Sequence, residues 1–477
     1  MRFYRFRSTK SLLGQYRELE TQSIFFAARE QLNDPMEGFR DFFWHGDAII
    51  WRNLFRHYLI SLDRTYLLYL ISGKQDPNFW KQPIPVRELL TALPPEYRAR
   101  FERVQHAFFS MPAVERLLAG LIASGRKVRR DELRFYLQYL HYFALEACIA
   151  IAAADQLVAS RDRPFPLPRD LLESATGADF FTALSQLPPK SGSVEEGAEL
   201  FFQIATLVQA QSALIHRHNK VIDAADPNKN LMVLDFPDRY LNAIETLAFP
   251  TWYTACFMSE CTNSSVWGHY GDNHTGACLI FDSHDMNGRP CLPMTGYNSI
   301  GGSGPLKGRM KISFEQVRYD EGYAELDFFR LIGRLPRSVL DLMWYRDAHG
   351  NFSDCATPLL EDEDSWRKAY WQSFQKDLLR KTKDWAYENE YRLVLHGSVV
   401  DYTDPAHRIL TYDFSSLHGV IFGIKMPAED QVEIVRIVRE KCIREQRRAF
   451  SFYQAHYSTL SGAVEHIPLR LLAMKDR

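Results

Sequence analysis

The feature that most constrains this chain is a change of pattern along its length. Short aromatic and β-branched runs stand at both ends, and a long block of helical pattern separates them. Residues 2–7 alternate and are rich in aromatics, and residues 23–27 read as a second strand. Between them, residues 11–20 carry the apolar spacing of a short helix. From residue 47 to 238 the pattern is helical, clearest over 130–160 and 193–224, and the second of these opens on Ser193 with Glu196 three residues later, a capping-box signal. Proline-rich stretches at 83–85, 164–168 and 188–189 punctuate the block. Strand character returns at 251–258, 276–282, 391–396 and 420–423, then at 467–472 after an amphipathic helix over 428–444. An isolated N-terminal two-strand unit would be marginal in water, so strands from both ends are expected to share one sheet. The pattern predicts an α+β fold: a mixed or antiparallel sheet built from residues 1–45 and 246–477, with a large all-helical insertion at 46–245.

Composition narrows the function classes. With 477 residues, 46% hydrophobic and 24% charged, the chain is globular and has room for two or three domains. A net charge of −2 argues against a surface organised for nucleic acid, which is not an expected partner. The basic clusters Arg126, Lys127, Arg129, Arg130 and Lys441, Arg444, Arg447, Arg448 read as solvated helix faces. Seven scattered cysteines form neither a disulfide framework nor a zinc ribbon, which fits reduced thiols and a cytoplasmic location. The first eight residues interleave cations with aromatics and lack the apolar core of a secretory signal. The most apolar window, 144–154, is short for a bilayer and contains Glu146, so no membrane partner is expected.

Several residues could carry chemistry. If Glu388, Glu390 and Arg392 share one strand, a period of two sets all three on one face. Two carboxylates so close repel, which raises one pKa unless a cation is shared, and Arg392 is the nearest cation. The bland alternative is a surface ion-pair ladder. Alternation around this strand entry predicts Trp385 and Tyr387 buried, with Glu388 or Glu390 facing a cavity. His269 and His274 flank Tyr270, but no third ligand is indicated and no metal is expected. Asn33, Asp34 and Glu37 either shape a turn or line the cleft of the late glutamates. Gly276 and Gly423 suit close backbone approach. The run from Gly301 to Gly304 lacks the Lys-Ser/Thr ending of a phosphate loop.

Four segments taken in order resemble a known family: Phe3-Tyr-Arg-Phe-Arg-Ser8, Asn33-Asp-Pro-Met-Glu37, Val266-Trp-Gly-His-Tyr-Gly-Asp-Asn-His-Thr-Gly276 and Lys381-Thr-Lys-Asp-Trp-Ala-Tyr-Glu-Asn-Glu-Tyr-Arg392. The family is domain-of-unknown-function family 2971 (DUF2971), and the resemblance covers residues 1–45 and 250–425. Met36 stands where the family has an aromatic and Phe6 where it has a tyrosine. The family implies no activity. The order of groups is also similar to that of ADP-ribosyltransferases. That likeness implies a first-strand cation, Arg5 or Arg7, holding a dinucleotide, a second-strand group, Ser23 or Phe26, beside the nicotinamide ribose, and Glu388 or Glu390 stabilising the cationic sugar. Asn33, Asp34, His269, Tyr270 and Arg392 complete the expected ligand set. The implied function is an NAD-handling transferase or glycohydrolase with NAD as substrate, a bacterial-type effector of toxin or phage-defence systems. The alternative is a non-catalytic module for a nucleotide-like small molecule, with the helical insertion contacting a protein partner. A nuclease-type toxin is a third reading, weakened by the lack of an Asp/Glu/Lys metal signature.

Overall fold

The computed structural model describes residues 1–34, 36–73, 75–87, 92–158, 194–218, 226–302, 304–319, 325–397 and 400–470. The chain divides into two compact units. The first gathers Met1–Phe39, Pro250–Gly322 and Ser373–Arg477, and the second Arg40–Phe249 and Tyr323–Gln372. The fold is α+β, with mixed sheets and a helical middle. Residues 323–372, kept with the core in the sequence reading, group with the helical unit. That unit is also not all helix, since Asp41–Trp44 pairs with Glu325–Asp327 and Val128–Arg129 in a small sheet. Ser193 and the proline stretches at 164–168 and 188–189 lie outside the described residues.

In the first unit, Arg2–Arg7 lies between Trp252–Met258 and Ala277–Asp282 and is antiparallel to both. The main sheet runs Glu315–Gln316, Glu390–His396, Trp252–Met258, Arg2–Arg7, Ala277–Asp282, Leu417–Phe422, Ser451–Tyr457 and Val464–Pro468. Among the described residues, only the Leu417–Phe422 to Ser451–Tyr457 pair is parallel in this sheet. The expected second strand divides in two. Ser23–Phe25 joins a smaller antiparallel sheet beside Ile409–Tyr412, and Ala27–Ala28 pairs with Trp252–Met258.

Strand alternation gives the main sheet two different faces. Phe3, Phe257, Phe281, Leu393 and Val420 point to one side. There they pack with Leu292, Met294 and Leu410 of the smaller sheet and with Ile434, Ile437 and Val438 of helix Ala428–Arg444. Phe6, Met258, Cys278 and Ile421 point to the other side and pack against Val266 and Trp267 of helix Ser264–Tyr270. Two glycines let backbones meet at the end of this sheet. A Cβ on Gly276 would lie 2.3 Å from the carbonyl oxygen of Arg7, and one on Gly423 would lie 2.3 Å and 2.5 Å from those of His274 and Gly276. Backbone carbonyls cannot swing aside as side chains can. Gly423→Ala is therefore expected to destabilise the protein by about 3 kcal/mol, read as a lowered urea midpoint. An unchanged midpoint would mean that the two strand ends separate at no cost.

In the second unit, helix Ala48–Leu68 is capped by Asp47, whose carboxylate accepts from the N–H groups of Ile49 and Ile50. It packs with helices Pro95–Phe109, Pro112–Ser124, Arg130–Ala154 and Phe236–Ala248. Arg130–Ala154 is long and apolar enough to cross a membrane, so the apolar window is longer than residues 144–154, but 56% of its apolar 18-residue stretch is buried inside the protein. The basic cluster at its start is consumed by carboxylates: Arg126 pairs with Glu132, Lys127 with Glu325, Arg129 with Asp41 and Glu325, and Arg130 with Glu245.

Candidate functional site

The chemistry-bearing residues of the first unit collect on the sheet face opposite the smaller sheet. In the strand Glu390–His396, Glu390 and Arg392 share that face while Leu393 and Leu395 enter the apolar core. Register extends the row sideways, because Met258 stands opposite both Glu390 and Tyr4, and Cys256 opposite Arg392. Glu388 is not in the strand. It closes a short 3₁₀ turn, Lys383–Glu388, and Asn389 follows at φ 45°, a left-handed conformation asparagine tolerates. The turn delivers its carboxylate to the same place.

A buried charge network results. Lys381 Nζ donates to Glu388 Oε2 at 2.7 Å and to Glu390 Oε2 at 3.2 Å. Arg392 Nε donates to Glu390 Oε1 at 2.8 Å, its Nη1 reaches the Leu378 carbonyl at 2.8 Å, and its Nη2 pairs with Glu37. Tyr270 Oη donates to Glu388 Oε1 at 2.7 Å. The Glu390 backbone N–H donates to Tyr319 Oη at 2.7 Å, and the Cys256 thiol bonds the Glu390 carboxylate. Lys381, Glu388, Glu390 and Arg392 are each 3% exposed or less. Lys381 is placed by its own backbone, whose N–H donates to the Arg318 carbonyl beside the edge strand.

Three carboxylates, Glu37, Glu388 and Glu390, thus share two cations, Lys381 and Arg392. Burial raises the Glu390 carboxyl above the usual range, against the pull of Lys381. Burial also lowers Arg392 to about 9, opposed by the charge of Asp34, which leaves it protonated at neutral pH. Lys381 is held above its ordinary value by Glu390, Tyr270 and Glu388, which outweigh its desolvation. Among the described residues no group of three or more His, Cys, Asp or Glu side chains is arranged to hold a metal ion.

The turn after Ala27–Ala28 is structural and also feeds the network. Asp34 Oδ1 accepts from the Met36 N–H at 2.8 Å, the Glu37 N–H returns to the Asp34 carbonyl, and Glu37 reaches Arg392. Asp34 is buried and Asn33 is exposed.

Outward of the network sits a shelf of rings. Trp385 and Tyr387, expected to be buried, are half-exposed, and His269 is exposed. Their side chains leave the short 3₁₀ turn and the end of helix Ser264–Tyr270, where no strand alternation forces one face inward. The ring centroids lie 6.2 Å apart for His269 and Trp385, 6.3 Å for His269 and Tyr387, and 6.2 Å for Trp385 and Tyr387. Tyr387 Oη and His269 Nδ1 are 3.1 Å apart. Lys381 Nζ lies 4.6 Å from the Trp385 ring centroid, which ties shelf to network.

The other expected site residues are elsewhere. Arg5 and Arg7 are on the face of the first strand that meets the smaller sheet. Arg5 donates to the Cys256 carbonyl at 3.1 Å and lies over the Phe257 ring, and Arg7 forms a two-pronged pair with Glu18. Burial lowers Arg5 to about 10. Ser23 sits in the smaller sheet and hydrogen-bonds Thr21, while Phe26 is wholly buried in the inter-sheet core. Neither stands beside Glu390. Lys381 and Tyr319 were not anticipated as site residues. Lys381 lies inside the quoted motif, while nothing in the sequence marks Tyr319.

Residues 266–393 match the family model described as a protein of unknown function, DUF2971. The matched stretch contains Tyr270, Tyr319, Lys381, Glu388, Glu390 and Arg392, whereas the two N-terminal motifs fall outside it. No curated protein and no solved structure matches the chain.

Proposed function

We propose that the first unit is a binding module for a nucleotide-like small molecule, whose base lies on the shelf formed by Trp385, Tyr387 and His269. The observation that carries this reading is the pairing of accessible rings with an already satisfied charge network. Both oxygens of Glu388 and of Glu390 accept hydrogen bonds from protein groups. A carboxylate that must stabilise a forming sugar cation needs a lone pair turned toward the substrate. Stacking on exposed rings needs no such freedom, and each stacked base contributes about 1–3 kcal/mol. The network below then fixes the shelf, since Lys381 contacts Trp385 and Tyr270 adjoins His269.

One observation favours the catalytic reading, in which the same site cleaves NAD as a transferase or glycohydrolase. Glu390 is held toward its protonated form in a network with one more carboxylate than cations, and such perturbed groups cluster at reacting centres. Against it, the first-strand cations Arg5 and Arg7 face away from Glu390. A toxin or antiviral-defence role would follow only from this second reading, because it requires turnover.

Isothermal titration of the purified chain with NAD, ADP-ribose and AMP, with nicotinamide release followed in parallel, tests both. Binding is expected for at least one of these, weakened at least tenfold (about 1.4 kcal/mol) by Trp385→Ala, and unaffected by Arg5→Lys. No binding of any of the three would sink the proposal. Nicotinamide release that disappears in Glu390→Gln would replace it with the catalytic reading.

A further inference from the structure

We infer, resting on the stacking read above for Trp385, Tyr387 and His269, that the ring held by this shelf is positively charged. The site then takes a nucleotide with a cationic base, such as the pyridinium of oxidised NAD, in preference to one whose ring is neutral. The three ring centroids stand 6.2–6.3 Å from one another, and the ring planes are tilted by 31° to 60°. The rings therefore do not cover each other, and with Trp385 and Tyr387 half-exposed and His269 exposed they offer faces to a guest. The face of an aromatic ring is its negative side, and tryptophan and tyrosine are the side chains that draw a cation onto that face most strongly.

The charge beneath the shelf points the same way. Lys381 and Arg392 are outnumbered: Glu37, Glu388 and Glu390 contact them directly, and Asp34 acts on Arg392 through its charge. None of these four carboxylates is more than 5% exposed, so salt screens the imbalance weakly. With a proton on Glu390, the form its burial favours, three carboxylates still face two cations. Asp34 is an independent sign of the same shortage. Its Oδ1 accepts from the Met36 N–H, while its Oδ2 is buried with no hydrogen-bond partner, a costly state for a carboxylate oxygen. Lys381, 4.6 Å from the Trp385 ring centroid, is bound by Glu388 and Glu390, so it brings no net positive charge to the rings. At the surface, the turn that bears Trp385 adds one exposed cation, Lys383, and one exposed carboxylate, Asp384, which offset each other. A ring cation thus gains the pull of the ring faces and that of the unbalanced carboxylates, a preference of about tenfold over a neutral ring of the same outline.

Isothermal titration of the full chain compares two pairs that differ in ring charge: oxidised NAD against NADH, which carry the same phosphates, and 1-methylnicotinamide against nicotinamide. The second pair has no glycosidic bond, so turnover of NAD cannot mimic its result. The charged member of each pair is expected to bind about tenfold tighter. Glu388→Gln removes one of the unbalanced carboxylates and should bring both ratios down to about threefold. Each ratio is taken within one protein, so a partly unfolded Glu388→Gln lowers both affinities by the same factor and leaves the ratio readable. Equal affinity for the two members in wild type overturns the inference and leaves the stacking proposal standing. A charge preference that is unchanged in Glu388→Gln also overturns it, because the network would then not set the preference. Absence of binding by all four compounds removes the stacking proposal itself, and this inference with it.

Discussion

Arg392→Met is expected to cost the first unit about 3–5 kcal/mol, the usual loss when one partner of a buried ion pair is removed and its counter-charge stays. Arg392 is fully buried and serves Glu37, Glu390 and the Leu378 carbonyl at once. Methionine fills much of the volume and supplies none of the donors, leaving three carboxylates to Lys381 alone and the Leu378 carbonyl without this donor. Glu390→Gln should be far milder. Burial holds that carboxyl above its unfolded value, so its ionisation adds no stability at neutral pH: the favourable contribution lies at low pH and fades as pH rises through the folded pKa. The double variant Arg392→Met with Glu390→Gln should therefore recover part of the loss, though Glu37 keeps only Lys381, 3.9 Å away. Urea unfolding gives the energies, and hydrogen exchange of the Glu390–His396 and Trp252–Met258 amides localises them. A loss under about 1 kcal/mol for Arg392→Met would mean water reaches the network and the pair behaves as a surface one.

Local sequence encodes one part of this site and strand pairing the other. That Glu390 and Arg392 share a face is a property of one strand, and period-two alternation is enough to read it. Which face of the first strand meets them is a property of pairing register. Tyr4 aligns with Met258, and Met258 with Glu390, so Tyr4 and Phe6 share the face of Glu390 while Arg5 and Arg7 point away from it. Nothing local in residues 2–7 distinguishes the two parities, since each mixes aromatics with cations, Arg2, Tyr4 and Phe6 on one face and Phe3, Arg5 and Arg7 on the other, and either set could be core. The arginines went to the apolar side because Arg7 finds Glu18 and Arg5 finds a carbonyl and a ring there.

Lys381 illustrates the other limit. It stands seven residues before Glu388, and only the bridge between Arg318 and Arg380 turns the chain so that its ammonium meets both glutamates. The one-residue departure at Glu388 has a local cause, the left-handed Asn389, which a sequence pattern of Glu-x-Glu conceals because both carboxylates still converge. The strands at both ends of the chain were easier to anticipate. Their aromatic and β-branched content is intrinsic, and an unpartnered N-terminal strand would leave its edges open.

Lowering the pH from 7.5 to 4.5 is expected to destabilise the second unit through two histidines that fold in the neutral form. His57 and His141 are buried, and burial pushes each down to about 4. Their hydrogen bonds set the tautomer. His57 Nε2 faces the Val86 carbonyl at 2.9 Å and His141 Nε2 the Met232 carbonyl at 2.7 Å, so each Nε2 carries the proton. Nδ1 then accepts from Tyr240 Oη at 2.8 Å in His57 and from Tyr58 Oη at 2.7 Å in His141. A second proton on Nδ1 would have no acceptor but a phenol that is itself the donor, and Arg56 adds like charge beside His57. With folded pKa values below the unfolded value of about 6.5, the unfolded chain binds more protons between the two. The stabilisation is complete above pH 6.5 and is lost as pH falls toward 4. Each histidine should account for roughly 2–3 kcal/mol over this interval, the free energy of moving from about 6.5 unfolded to about 4 folded, read at pH 4.5. Urea unfolding of wild type, His57→Gln and His141→Gln at both pH values isolates the effect by difference, because carboxylates titrate in all three. Each variant should be less stable at pH 7.5 yet lose correspondingly less on acidification. Equal losses in all three proteins would show that these imidazoles take up protons without opening their carbonyl-to-phenol chains.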